Sequence, residues 1–160
     1  MSFKEYKFSY KEVDDVNLLP SEDASLLDQA RKATQQAYAP YSKFFVGAAA
    51  LLDNGQTISA TNQENASFPA GLCAERVLLS AAASLYSNNK IKTIAISYDN
   101  KNGESNRPVS PCGICRQSLL EYEGRIEQPV RLLLSGLTGK IIIIESASLL
   151  LPLSFSAKDM

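Results

Sequence analysis

The chain has 160 residues, with 16 Lys and Arg against 17 Asp and Glu, 45% hydrophobic residues, three cysteines and no histidine. One domain of this size can bury a core without disulfide staples, and a near-neutral balance with a pI of about 5.5 gives no basic footprint for nucleic acid or acidic lipid. The longest apolar run, residues 44–52 (F-F-V-G-A-A-A-L-L), is too short to span a membrane, so neither nucleic acid nor a membrane is expected as a partner.

Residues 1–20 read as an N-terminal arm and residues 21–160 as one domain. In the arm, Phe8 and Tyr10 alternate with Lys7, Ser9 and Lys11, the pattern of a short strand or ordered tail. The arm has no apolar stretch of the signal-peptide kind. Together with an odd number of cysteines this points to a reducing cytoplasm and to thiolate chemistry rather than disulfides. Pro20-Ser21 opens a helix in which Leu26, Leu27, Ala30, Ala33 and Ala37 recur at helical spacing, ending at Ala39-Pro40. Residues 44–52 predict a buried strand, Asp53-Asn54-Gly55 a hairpin turn and residues 56–61 the returning strand. After a loop over 62–72, a second helix is expected from about Cys73 to Tyr86, and residues 91–98 form a strand. The polar stretch 99–108 is rich in turn formers. A third helix is expected to start at Ser110-Pro111, Ser as N-cap and Pro at the first helical position, and to end near Gly124. Strands over 130–135 and 140–145 follow. The order α-β-β-α-β-α-β-β describes one mixed sheet between helices, an α/β fold.

The chemistry lies in two clusters, C-A-E-R at 73–76 and S-P-C-G-I-C-R at 110–116. Cys112 and Cys115 stand three apart, on one face of a helical turn, where exposed helix N–H groups favour thiolates. C-x-x-C alone fits either a metal site or a redox pair. With no histidine, Cys73 is the one soft residue left to complete a metal site. Three protein ligands on Zn²⁺ leave a position open, the arrangement of a catalytic rather than a structural site. Glu75, two residues after Cys73, can fan around the helix end and act on protons without binding metal. Arg76 and Arg116 each follow a cysteine and are expected to offset the surplus negative charge of three thiolates.

These clusters, with P-Y-S-K-F-F-V-G-A-A-A at 40–50, N-Q-E-N-A-S-F at 62–68 and L-L-P-L-S-F at 150–155, make residues 22–155 resemble the short, homotetrameric cytidine deaminases of pyrimidine salvage. The resemblance implies a three-layer α/β/α cytidine-deaminase-like fold with a mixed five-stranded sheet, Zn²⁺ as cofactor and a small nucleoside as substrate. It implies Cys73, Cys112 and Cys115 as metal ligands. Glu75 is then the proton shuttle for hydrolysis at C4 of cytidine or deoxycytidine, with ammonia released. Asn62 and Glu64 match the pair that hydrogen-bonds ribose, Phe44 the aromatic against the nucleoside, and Ala74 a residue offering its backbone to the base. Ala66, Phe68 and Phe155 match positions at a neighbouring-subunit contact of a homotetramer. Position 68 is Phe where many relatives have Tyr, and the arm and the 99–108 loop exceed the compact family core.

Overall fold

The computed structural model describes residues 1–160. Its elements are β1 (Lys11–Val13), α1 (Ser21–Ala33), β2 (Phe44–Leu52), β3 (Thr57–Thr61), α2 (Ala74–Leu85), β4 (Ile91–Asn100), α3 (Gly113–Ile126), β5 (Arg131–Ser135) and β6 (Ile141–Ile144), with short 3₁₀ turns between them. They form one sheet in the order β1-β6-β5-β4-β2-β3. The β4–β5 pair is parallel, Thr93 facing Arg131, and every other pair is antiparallel.

The sheet has six strands rather than the expected five. The sixth is β1, which sets Lys11 against Ile143 and Val13 against Ile141. Three residues carry too little alternation to announce a strand; what recruits them is the edge of β6, whose backbone groups need partners. The aromatic alternation lies just before β1: the rings of Tyr6, Phe8 and Tyr10 form a tilted row with centroids 6.4 Å apart.

Period-two alternation sorts the sheet into two faces. Ala48, Ala50, Leu52, Ile94, Ile96, Leu132 and Leu134 pack against Leu78 and Ala82 of α2 and Leu119 and Ile126 of α3. Ala49, Leu51, Ala95 and Leu133 face Leu26, Leu27 and Ala30 of α1. The result is three layers, α/β/α. Each fully buried Leu or Ile contributes about 1.5–3 kcal/mol. Contact between α1 and β2 is close enough that a Cβ at Gly47 would stand 2.1 Å from the Ala30 carbonyl oxygen, so only glycine fits there.

The third helix starts later than expected, with Cys112 as N-cap and Gly113 as its first residue. Cys112 stays extended, and the Pro111 carbonyl is taken by a side chain, Arg116 Nε, at 2.8 Å. The helix runs past Gly124 and stops at Glu127, which adopts a left-handed φ of 55°. Buried Glu123 fixes its far end, accepting from the backbone N–H groups of Val130 (2.7 Å), Ala147 (2.8 Å) and Ser148 (3.0 Å) and from the Ser146 hydroxyl (2.9 Å). On the other face, Arg131 and Asp23 form a two-pronged ion pair at 2.7 and 2.6 Å, joining β5 to the first turn of α1. No helix is long and apolar enough to cross a membrane.

Candidate metal centre and active site

Helices α2 and α3 pack on the same face of the sheet and bring their N-termini together. Cys73 is the N-cap of α2, Cys112 the N-cap of α3, and Cys115 lies in the first turn of α3. The Sγ atoms of Cys73 and Cys112 are 3.8 Å apart and those of Cys112 and Cys115 3.5 Å apart; all three sulfurs lie within 4.8 Å of one another. These are free thiols, well beyond the ~2.05 Å of a disulfide. Tetrahedral zinc with Zn–S bonds of about 2.3 Å sets its sulfurs roughly 3.8 Å apart, so the triad fits that ion.

The thiols share their protons unequally. Cys73 is lowered to about 6, first by a hydrogen bond from Cys115 and further by Cys112 and Arg76, against desolvation and the Glu75 charge. Cys115 is pushed up by the same hydrogen bond, by burial and by its anionic neighbours. One proton therefore leaves the cluster readily, as metal capture requires. Glu75, in the first turn of α2, is 6% exposed. Burial raises its carboxyl above the ordinary range, against hydrogen bonds from its own backbone N–H and from Cys115; such a group holds a proton more readily than a surface carboxylate.

Cys73, Cys112 and Glu75 open into a cavity of about 650 Å³ that Phe44, Asn62, Glu64, Phe68 and Arg76 also line. Phe44 stacks on Tyr98, ring centroids 4.8 Å apart and planes 12° apart. Asn62 leaves β3 with both amide atoms engaged: Oδ1 accepts from Val46 N (2.7 Å) and Nδ2 donates to Phe44 O (2.9 Å). Each still has one site free. Glu64 Oε2 accepts from the N–H groups of Tyr41 (2.9 Å) and Ser42 (3.3 Å). Desolvation acts upward on this carboxyl, but the Ser42 hydroxyl and the two N–H groups together hold it below its ordinary value.

The remaining expected residues fall around this core. Ala74 is fully buried under the site. Phe68 stands at the cavity rim, edge-on to Tyr41 at 5.9 Å, and Ala66 is exposed in the same loop. Phe155 does not line its own chain's cavity; its carbonyl accepts from Gln117 Nε2 at 3.0 Å. Arg116 differs from expectation. Its Nε and Nη1 donate to the carbonyls of Pro111 and Leu150 rather than to sulfur, so it braces the start of α3 against the C-terminal segment. Tyr98 and Ser42 also line the cavity. The alternation I-A-I-S-Y in β4 places Tyr98 on the site face, a signal the sequence contains; Ser42 has none beyond its place in a turn.

Residues 20–130 match the family model described as the cytidine and deoxycytidylate deaminase zinc-binding region, a span that contains all three thiols. The chain belongs to this family. It is 40% identical over 135 residues to the cytidine deaminase of Halalkalibacterium halodurans, covering 84% of this chain and 95% of that one. It is 39% identical over 117 residues to the cytidine deaminase of Mycobacterium tuberculosis, covering 71% and 84%. Among solved structures, the cytidine deaminase of Burkholderia pseudomallei superposes with a TM-score of 0.69 at 34% identity over 82% of this chain and 97% of its own. That of M. tuberculosis gives 0.61 at 33% over 82% and 94%. Zn²⁺ is thus the cofactor of this deaminase chain, and the thiol triad is a cluster of groups able to hold a metal ion.

Proposed function

We infer that the chain is a zinc-dependent cytidine deaminase, hydrolysing cytidine and deoxycytidine to uridine and deoxyuridine with release of ammonia. The observation that carries this reading is the convergence of three thiols within 4.8 Å, two of which, Cys73 and Cys112, line the same cavity as buried Glu75.

Cys73, Cys112 and Cys115 would hold the Zn²⁺, which would supply the Lewis acidity that makes water a nucleophile at neutral pH. Glu75 takes a proton from the attacking water and delivers it to ring N3; it then takes the proton of the new C4 hydroxyl and passes it to the amine nitrogen, so that C4=O forms as the C4–N bond breaks and ammonia leaves. Its raised proton affinity suits a group that must both take and give. Phe44, held flat against Tyr98, offers its ring to the nucleoside, and Ala74 presents backbone to the base. The free Oε1 of Glu64 and the remaining amide sites of Asn62 take the ribose hydroxyls. Arg76 offsets thiolate charge at Cys73, and Arg116 steadies Cys112 through Pro111. The cavity's charged lining is two carboxylates against one arginine, which favours a neutral nucleoside over its phosphate ester.

The working assembly is a homotetramer in the cytoplasm, where reducing conditions keep the thiols free. Phe68 (75% exposed) and Phe155 (62% exposed) support this: each is a large apolar side chain left in solvent, available to a neighbouring subunit. A steady-state comparison of cytidine, deoxycytidine, cytosine and CMP, on a sample whose mass is read by light scattering, tests the reading. The two nucleosides are expected to have the highest kcat/KM, from a particle of four chains. Equal kcat/KM for cytosine or CMP, or an active monomer, contradicts it.

A further inference from the structure

The loop joining β4 to α3 is anchored at its base. The Ser105 carbonyl accepts from Thr138 N at 3.2 Å, and a Cβ at Gly136 or Gly139 would stand 2.1 Å from Ser105 O or 1.9 Å from Asn106 O. Glycine at both positions lets the β5–β6 turn press against the loop. The loop's own turn is closed by Ser105 Oγ, which accepts from Asn100 N (2.8 Å), and by Asn100 Oδ1, which accepts from Asn102 N (3.1 Å).

From that base the tip reaches the turn before β2. Asn102 Nδ2 donates to Ser42 O at 3.0 Å, and Lys101 N donates to Lys43 O at 3.0 Å. Lys43 has a left-handed φ of 57°, a conformation that a non-glycine residue keeps only when its surroundings enforce it. Ser42 uses every polar group it has: its N–H donates to Glu64 Oε2, its hydroxyl accepts from Phe44 N at 3.0 Å, and its carbonyl accepts from Asn102. Glu64 and Phe44 line the cavity and Asn102 does not. One residue, Ser42, thus separates Asn102 from the carboxylate assigned to the sugar.

We propose that Asn102 is a positioning residue: through Ser42 it fixes Glu64 Oε1 for the ribose hydroxyl, so the loop sets affinity for the sugar and leaves the chemical step alone. The proposal rests on the reading of Glu64 as a ribose ligand. Asn102 is exposed, so its substitution leaves the core intact.

The test is a double-mutant cycle on the full chain, with kcat and KM for cytidine measured for wild type, Asn102→Ala, Glu64→Ala and the double variant. Asn102→Asp is added because it keeps the side chain's size and replaces the donor with a charged acceptor. Loss of one hydrogen bond's ordering effect is expected to raise KM about threefold to tenfold in both Asn102 variants, with kcat within about twofold and no further rise in the Glu64→Ala background. An unchanged KM, a fall in kcat alone, or the same KM increase with and without Glu64 overturns the proposal while the Glu64 reading stands. If Glu64→Ala itself leaves KM for cytidine unchanged, the ribose assignment fails and the proposal fails with it.

Discussion

Glu75 separates a deaminase from a zinc-stapled module, because a structural site has no use for a buried, unliganded carboxylate beside its thiols. Glu75→Ala is expected to retain zinc and the fold and to lose at least about 10²-fold in kcat, the low end for general acid–base catalysis; metal analysis and cytidine turnover on one sample check it. Normal turnover in that variant would rule out the shuttle. At this scale the sequence was informative wherever rare residue types had no alternative use. Three cysteines and no histidine left one way to build a soft-ligand site, and Cys73, Cys112 and Cys115 do converge. It was uninformative where function passes through the backbone. Arg116 looks like a partner for thiolate, yet carbonyls 34 residues apart in sequence from its own position and at Pro111 claim its donors. Asn62 spends half its hydrogen-bonding capacity on β2, which no spacing rule announces.

Elements with strong periodicity were legible at close to their true limits: β2 spans residues 44–52 as expected, and α2 lies within a residue of its expected ends. The departures lie where tertiary contacts override local pattern: at the end of α1, which stops at Ala33 and a 3₁₀ turn over Thr34–Gln36 rather than at Ala39-Pro40, at both ends of α3, and in β1. Pairing β1 with β6 has a physical consequence. Without it, Ile141–Ile144 would be an edge of four isoleucines with open backbone groups, a template for pairing with other chains. Deleting residues 1–13 should leave turnover per folded molecule near that of the full chain while the protein aggregates at concentrations where the full chain does not; light scattering against concentration checks it. A deletion variant equally resistant to aggregation would refute the edge role. Acid should loosen the same contact. Lys11 donates to Glu145 at 2.7 Å, and that hydrogen bond leads the causes that hold the Glu145 carboxyl below its ordinary value. Its contribution is present above the ordinary carboxylate pKa of about 4.3 and is lost as pH falls through the lowered value. The pair is exposed and its effect small, so amide exchange at Lys11 and Val13, rather than global unfolding, is where it shows.

Across the whole molecule, three layers serve one junction. The sheet fixes two helices side by side, their N-termini supply the thiols and Glu75, the start of β2 supplies Phe44, and the exit from β3 supplies Asn62 and Glu64. The order of elements made a layered mixed sheet legible, because alternation of Ala, Leu and Ile demands two covered faces. Contact across 39 residues between Cys73 and Cys112 was legible only through chemistry, since periodicity says nothing about which helix ends meet. The proposed function requires that this junction hold one zinc per chain and that the metal site thus formed deaminate cytidine. It is tested most directly by titrating zinc into metal-free protein while following uridine formation. Activity should rise in proportion to added zinc and level off at about one ion per chain, with Cys112→Ala failing to gain activity. Full turnover in the metal-free protein, or the same plateau in Cys112→Ala, would contradict it.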